Sequence, residues 1–224
     1  MYEITILIAG AGPTGLTLAV DLARRGIPLR IVDAASAPFV GSRGKGIQPR
    51  TMEIFDNLGV IEPILAAGSR YPRFRLHAGP LSIRMGSLSS SKPPTDSVPY
   101  PNLWMAPQAR TEGILRDRLH ALGGEVEFGK ALVSFEQHAH AVDATLSNGE
   151  RVRASYLVGC DGGRSAVRKA LGLRLEGEAL DDSTTTVADV EGKGLDRRDW
   201  HLWPLAKGGP IALCPLPHTN LFQF

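Results

Sequence analysis

The chain has 224 residues, enough for one large domain or for one domain and part of a second. With 25 basic and 23 acidic residues the formal net charge is only +2, and the basic residues are scattered, which argues against a nucleic-acid partner. The two cysteines, Cys160 and Cys214, and the unclustered histidines exclude a disulfide framework and a metal site of the usual zinc spacing.

The N-terminus lacks the features of a secretory leader. Residues 2–9 form a short apolar stretch that runs into glycine, without a basic start or a small-residue cleavage site. No apolar run reaches the roughly 18 residues that a membrane-spanning helix needs. We therefore expect a cytoplasmic protein without a membrane partner.

The first 33 residues have the pattern of a βαβ unit. Residues 3–9 (EITILIA) are a β-branched run bounded by glycine, which predicts a buried strand. Residues 13–25 carry apolar side chains at helical spacing and end at Gly26, which predicts a helix. Residues 28–32 predict a second strand, which ends at Asp33.

A glycine fingerprint, GAGPTG at residues 10–15, joins the first strand to the helix. Gly10 permits a tight turn, Gly12 lets a pyrophosphate approach the backbone, and Gly15 lets the helix pack on the strand. The N–H groups and the dipole at the helix start favour negative charge. Asp33 can accept hydrogen bonds from a ribose, and its carboxylate disfavours a 2′-phosphate there. The unit predicts dinucleotide binding without deciding between NAD and FAD; the alternative is a glycine-rich structural turn with a capping aspartate.

Later segments alternate between helical and antiparallel patterns. The predicted helices span residues 49–58, 111–122 and 165–171. The predicted strands lie within residues 71–85, 131–136 and 141–147 and in a segment that ends at Gly159. Asn148-Gly149 is typical of a hairpin turn, and the Ser- and Pro-rich residues 86–101 predict a mobile surface loop.

This order of elements predicts an α/β protein. A Rossmann-like βαβ domain is expected to carry an inserted, mostly antiparallel β domain. We expect residues 1–70 and 102–175 to form the first domain, and residues 71–101 and 176–224 to form the second.

A second candidate turn, GCDGGRS at residues 159–165, stands at another strand-to-helix junction. It presents Asp161 near a helix N-terminus, with Ser165 as a possible N-cap. From these residues alone, a structural turn and a ligand-binding turn remain open. For Cys160 a packing role is favoured over that of a nucleophile.

Four segments, in this order and spacing, closely resemble the flavoprotein aromatic hydroxylases, the family of para-hydroxybenzoate hydroxylase. They are GAGPTG, SRGKGIQPRTMEIFDNLGV, APQARTEGILRDRLHALG and YLVGCDGGRSAVRKALG. The resemblance covers essentially the whole chain and is densest over residues 4–60 and 102–172. The segment GIQPRTMEIF is most similar to sequences of the branch that oxygenates phenols and polyketide aromatics.

The resemblance implies an FAD-dependent monooxygenase. Such an enzyme hydroxylates a small aromatic substrate with NAD(P)H as a transient reductant and O₂, through a flavin hydroperoxide. Because the cofactor carries the reaction, no catalytic side chain is assigned. The implied FAD-binding residues are Gly10, Gly12, Pro13, Thr14, Gly15, Asp33, Arg43, Gln108, Asp161 and Gly162.

Individual roles follow from the same resemblance. Asp33 would bind the adenosine ribose, and Asp161 and Gly162 would serve both FAD and the docking of NAD(P)H. For Arg43 the alternative is an ordinary loop arginine, and for Gln108 a helix-start side chain without a ligand.

The second domain is expected to build the substrate pocket. Residues 71–104 and 183–224 are its candidates. Trp104, Trp200 and Trp203 could face an aromatic substrate, although packing in the core is the favoured interpretation.

The chain also departs from the family pattern. Family members are longer and carry a later Gly-Asp…Ala-Ala-His segment whose aspartate binds the ribityl part of FAD, and no such segment occurs here. We therefore expect a C-terminally incomplete fragment with weak or no hydroxylase activity by itself. A non-catalytic FAD- or nucleotide-binding remnant that works with a partner chain is the alternative. Flavin halogenases and prenyl-lipid reductases share the FAD unit, but the halogenase signature WxWxIP is missing.

Overall fold

The computed structural model describes residues 3–88, 91–178 and 184–224. Within them the helices are α1 (Pro13–Ala23), α2 (Pro49–Asn57), α3 (Ile61–Ala67), α4 (Gln108–Ala121) and α5 (Ala166–Ala170). The strands are β1 (Glu3–Ala9), β2 (Leu29–Asp33), β3 (Gly46–Ile47), β4 (Ser69–Arg70), β5 (Arg73–Ala78), β6 (Leu81–Arg84), β7 (Trp104–Met105), β8 (Val126–Phe128), β9 (Leu132–Gln137), β10 (Val142–Leu146), β11 (Arg151–Gly159), β12 (Asp189–Glu191), β13 (Asp199–Trp203), β14 (Ile211–Pro215) and β15 (Leu221–Gln223).

The chain divides into two compact units, and each unit is built from two separate segments. The first unit comprises Met1–Phe39 and Glu112–Asp182, and the second comprises Val40–Thr111 and Ser183–Phe224. The sequence-based division assigned residues 40–70 and 102–111 to the FAD domain, whereas these residues pack in the second unit. The functional division of the chain stays a prediction.

The first unit contains a six-stranded sheet in the order β8-β2-β1-β11-β10-β9. Strands β8, β2, β1 and β11 run parallel, and β10 and β9 extend the sheet in antiparallel fashion. The β-branched run of β1 suits a strand that has neighbours on both sides, and Leu7 and Ile8 are fully buried. Helix α1 buries Leu16, Ala19 and Val20, the i, i+3, i+4 stripe that its sequence predicts. The predicted βαβ unit is confirmed.

A hairpin joins β10 to β11 at the predicted turn. Gly149 has a φ of +83°, a conformation that glycine adopts without steric cost. Its N–H donates to the carbonyl of Leu146 at 2.9 Å, and the N–H of Leu146 donates to the carbonyl of Glu150 at 2.9 Å. The hairpin contributes to one core cluster, formed by Leu7, Val32, Ala144, Leu146, Val152 and Ala154.

The second unit is dominated by β-structure. Its larger sheet has six strands in the order β12-β15-β14-β13-β5-β6, and only the β13–β5 pairing is parallel. A smaller sheet has the order β3-β7-β4, and helices α2 and α3 belong to the same unit. The predicted fold class, a Rossmann-like α/β part with a mostly antiparallel β part, is confirmed.

Several details differ from the sequence-based expectation. Helix α3 and the short strands β3, β4, β7 and β8 were not predicted, and α4 begins at Gln108 rather than at residue 111. The N–H groups of Arg110 and Thr111 already donate to the carbonyl of Pro107, so the first turn closes earlier. In the described part of the chain, no helix combines the length and the apolar character that crossing a membrane requires.

Candidate functional site

The glycine fingerprint forms the turn between β1 and α1. Gly10 has a φ of +106°, and a Cβ on it would lie 2.3 Å from the carbonyl oxygen of Cys160. A Cβ on Gly15 would lie 1.9 Å from the carbonyl oxygen of Gly10. These two glycines therefore permit close packing of the turn, of the helix and of the neighbouring chain segment.

Gly12 differs from the other two glycines because it faces open space. A Cβ on Gly12 would meet no protein atom within 4 Å. Gly12 is also the N-cap of α1 and has no side chain to cap it, so the N–H groups of the first turn are left for another acceptor. Pro13 occupies the first helical position, and Pro13 and Thr14 are exposed. This open cradle at a helix N-terminus fits the pyrophosphate of a dinucleotide.

Asp33 ties the end of β2 to this turn. Its Oδ2 accepts a hydrogen bond from the N–H of Ala11 at 2.6 Å, and its Oδ1 accepts one from the N–H of Ala35 at 2.8 Å. The carboxylate thus lies beside the fingerprint, where a ribose attached to a bound pyrophosphate would reach it. Each carboxylate oxygen has more than one lone pair, so these backbone contacts leave capacity for ribose hydroxyls.

The second turn lies beside the first because β11 pairs in parallel with β1. Ala9 and Gly159 are in register, and the N–H of Cys160 donates to the carbonyl of Ala9 at 2.7 Å. The carboxyl ends of the two strands therefore meet at one edge of the sheet. Open α/β sheets bind their ligands at such an edge. In this chain the edge brings together two turns from distant parts of the sequence.

Asp161 has a structural role in the second turn. Its Oδ2 accepts hydrogen bonds from the N–H groups of Ala166 at 2.6 Å and Val167 at 3.2 Å, and so caps α5. Ser165 is a second cap, since its Oγ accepts from the N–H of Arg168 at 3.0 Å. Gly162 has a φ of +75°, which the tight turn requires. The structural interpretation of this turn is thus supported, and a role of Asp161 and Gly162 towards FAD or NAD(P)H stays a prediction.

Burial and hydrogen bonding act in opposite directions on Asp161. Burial raises the pKa of its carboxyl, but hydrogen bonds from Ser165 and from the N–H groups of Val167 and Ala166 outweigh burial and lower the pKa below its usual value. Asp161 is therefore ionised at neutral pH and acts as an acceptor. Burial raises the pKa of the neighbouring Cys160 thiol, which suits packing rather than nucleophilic attack.

Gln108 contacts the loop that carries Arg43 in the second unit. The N–H of Gln108 donates to the carbonyl of Gly44 at 2.9 Å, and Gln108 Oε1 accepts from the N–H of Gly44 at 3.1 Å. Gln108 thus holds the loop that presents the exposed Arg43. The sequence did not reveal this positioning contact, and contact of either side chain with FAD stays a prediction.

A polar cluster on both sides of Arg43 has no counterpart among the sequence motifs. Ser42 Oγ donates to Asp189 Oδ1, Gln223 Nε2 donates to the carbonyl of Ser42, and Lys45 Nζ donates to Gln223 Oε1. Burial lowers the pKa of the Lys45 ammonium. The Arg43 loop is therefore anchored to residues nearly 150 or more positions away, and no local pattern signals such a contact.

The tryptophans pack within the second unit. Trp200 stacks on Tyr71 with ring centroids 5.8 Å apart, and Trp203 stacks on His77 at 4.4 Å. The indole N–H of Trp104 donates to a backbone carbonyl at 3.2 Å. These contacts correspond to the packing role that the sequence favoured for them.

Comparison with known proteins agrees with these features. The model of the FAD binding domain family matches residues 3–223. A flavin-dependent monooxygenase of Mycobacteroides abscessus is 44% identical, over 99% of this chain and 48% of the relative. A 6-methylpretetramide 4-monooxygenase of Streptomyces rimosus is 37% identical, over 97% of this chain and 39% of the relative. The chain thus spans about half or less of the length of these curated relatives.

A solved structure gives the same result for the fold. The rebeccamycin biosynthetic enzyme RebC with reduced flavin is 27% identical and superposes with a TM-score of 0.75, over 99% of this chain and 45% of RebC. The match of the family model covers both turns, Asp33, Arg43 and Gln108. The resemblance that the four motifs indicated is confirmed, and the chain belongs to the FAD binding domain family.

Proposed function

We propose that this chain binds FAD and forms the cofactor-holding part of a monooxygenase that hydroxylates an aromatic or polyketide substrate with NAD(P)H and O₂. The observation that best supports FAD binding is the open cradle at Gly12, with Asp33 and the second turn at the same sheet edge. The names of the two curated relatives, both monooxygenases, support the class of reaction.

The proposed cofactor residues of the first unit have separate roles in binding. The first turn of α1, with Pro13 and Thr14 exposed, offers N–H groups and a positive dipole end to the pyrophosphate. Asp33 accepts hydrogen bonds from the adenosine ribose. Asp161 and Gly162 supply the second wall of the same edge and contact FAD or the docking reductant.

The family resemblance assigns Arg43 and Gln108 to the cofactor and the antiparallel domain to the substrate. Arg43 contributes a permanent positive charge towards the FAD, and Gln108 keeps the loop of Arg43 in place through Gly44. When bound, FAD supplies the redox and oxygen-transfer chemistry. As the family resemblance implies, the reductant docks transiently on the FAD-binding surface, at Asp161 and Gly162.

FAD binding is tested by titrating the purified 224-residue chain with FAD and following the flavin fluorescence. The variant Gly12→Ala places a methyl group where the pyrophosphate approaches, and we expect at least about tenfold weaker binding, equivalent to about 1.4 kcal/mol. Gly86→Ala is the matched control, because its Cβ also meets no atom within 4 Å. Equal FAD affinity of Gly12→Ala and the unchanged chain would refute the proposed cradle.

Hydroxylation is tested with ¹⁸O₂, FAD, either nicotinamide and a phenolic substrate. One assay uses the 224-residue chain, and a second uses a chimera in which it replaces the matching segment of the Mycobacteroides abscessus monooxygenase. Incorporation of ¹⁸O by the chimera supports the proposed reaction. FAD binding by both proteins without incorporation by either would favour the alternative, a non-catalytic FAD-binding module.

A further inference from the structure

The second unit contains a cleft that the FAD-binding residues do not explain. It has a volume of about 830 Å³ and lies at the start of β5, the end of β6 and the chain segments next to them. Its walls include Arg70, Tyr71, Arg73, Arg84, Met85 and Leu103. None of the residues implied in FAD binding lines it.

The charges in this cleft are unbalanced. Its described lining contains three arginines and no acidic residue. Arg84 is neutralised by Asp199, at 2.8 Å, and approaches Asp196 at 3.5 Å. Arg70 donates to the hydroxyl of a serine, and among the described residues neither Arg70 nor Arg73 forms an ion pair. Two guanidinium groups therefore face the cleft without a compensating carboxylate.

Positive charge continues into an adjoining cleft of about 310 Å³ that shares Arg70. Arg197 lines this second cleft and donates to the carbonyl oxygens of Leu216 and Leu221, at 2.8 and 3.1 Å, rather than to a carboxylate. In a chain whose net charge is only +2, this concentration of uncompensated arginines is local. It favours an anion at Arg70, where the clefts meet.

The remaining walls suit an organic ligand rather than an inorganic ion alone. Tyr71, Met85 and Leu103 provide apolar surface beside the two arginines. Stacking on Trp200 fixes the ring of Tyr71. Burial raises the pKa of the Tyr71 phenol to about 12, so this side chain stays uncharged and does not repel an anion.

We propose that this cleft binds the carboxylate or phosphate group of an organic ligand with an apolar body, with Arg70 and Arg73 as its direct partners. The planar guanidinium group presents paired N–H donors that match both kinds of anion. The proposal is independent of FAD binding, since it uses other residues.

The first test compares naphthalene-2-carboxylate with its uncharged analogue naphthalene-2-carboxamide, by calorimetric titration of the 224-residue chain. We expect the carboxylate to bind and the carboxamide to bind at least about tenfold more weakly. Arg70→Gln and Arg73→Gln should each weaken binding of the carboxylate by about tenfold, whereas the exposed Arg174→Gln should not change it. Affinity should fall as ionic strength rises, because the cleft is open to solvent.

A second pair of probes, 2-naphthyl phosphate and naphthalene-2-carboxylate, separates phosphate from carboxylate as the source of the anion, because both carry the same apolar ring. Tighter binding of the phosphate that depends on Arg70 and Arg73 assigns the cleft to a phosphate ligand, and tighter binding of the carboxylate assigns it to a carboxylate ligand. FAD titrations of the same variants separate this proposal from the preceding one, and we expect them to be unchanged. Equal binding of naphthalene-2-carboxylate and its carboxamide, no effect of either arginine variant, or no binding of naphthalene-2-carboxylate at about 1 mM would overturn it.

Discussion

The three fingerprint glycines serve different physical needs. Gly10 and Gly15 are required by the protein itself, because a Cβ on either would overlap a backbone carbonyl oxygen. Gly12 is not required for packing, since its Cα faces open space. Its requirement comes from outside the chain, from a ligand that must approach the backbone. Substitutions at these positions should therefore separate stability from binding.

Gly15→Ala tests the packing requirement. The added Cβ would lie 1.9 Å from the Gly10 carbonyl oxygen, so α1 or the turn must move. We expect the free energy of unfolding to fall by about 1–3 kcal/mol, as for other overpacked sites. Gly12→Ala should lower it by less, at most about 1 kcal/mol, the usual difference between glycine and alanine at a helix N-cap. Urea denaturation of both variants measures the difference, and equal midpoints would contradict it.

Asp199 allows a prediction about pH in the second unit. Its buried carboxylate accepts hydrogen bonds from Arg75 at 2.5 Å and Arg84 at 2.8 Å. Burial raises the pKa of Asp199, but the hydrogen bonds from Arg84 and Arg75 outweigh burial and lower it below the ordinary value of 3.8. The ionised form therefore stabilises the fold above this ordinary value, and the stabilisation is lost as the pH falls through the lowered pKa.

Asp199→Asn should lower the free energy of unfolding by about 2–3 kcal/mol at neutral pH, because hydrogen bonds to a charged group are lost. The difference between the two proteins should shrink on acidification below about pH 4. Thermal unfolding between neutral and acidic pH measures it, with the exposed Asp96→Asn as control. A difference that is constant with pH would exclude the ionised carboxylate as its source.

At the scale of elements, local patterns explain what could be predicted. β1, α1, β2 and the β10–β11 hairpin have strong periodicity and glycine boundaries, and all were predicted within a few residues. Helix α3 was missed because Pro63 interrupts a short apolar segment, yet proline is tolerated in the first helical turn. Strand β8 has three residues, and pairing with β2 rather than its own pattern makes it a strand.

The residues of the candidate site also divide into those that local patterns predict and those that they do not. The fingerprint and Asp33 were predictable because strand, turn and helix are consecutive in sequence. The contacts that hold the Arg43 loop were not, because Ser42 meets Asp189 and Gln223 only in the folded sheet of the second unit. Long-range contacts between single polar residues leave no periodic signal.

The hairpin turn gives a prediction at this scale. Gly149 has a φ of +83°, so an alanine there is strained even though a Cβ would meet no atom within 4 Å. We expect Gly149→Ala to lower the free energy of unfolding by about 1 kcal/mol. Gly86→Ala, where φ is not in this range and the surroundings are equally open, is the control. Equal destabilisation by both substitutions in urea would show that the turn conformation is not the cause.

At the scale of the whole molecule, each unit is assembled from segments that are distant in sequence. The first sheet uses only strands within residues 3–39 and 112–178, whereas the second unit needs β12 to β15 as well as β5 and β6. The first unit thus has all of its sheet partners without the C-terminal segment. Closing the long loop between the two segments of this unit costs little, since each doubling of loop length adds only about 0.6 kcal/mol.

A chain that ends at Glu178 tests this independence. It keeps every strand of the first sheet but removes β12 to β15, which leaves β5 and β6 as a two-stranded hairpin. Because an isolated hairpin is marginally stable in water, we expect the amides of β5 to exchange rapidly with deuterium. The amides of Leu7 and Ile8 in β1 should stay protected, since their partners in β2 and β11 remain. Loss of protection in β1 as well would show that the first unit depends on the second for its stability.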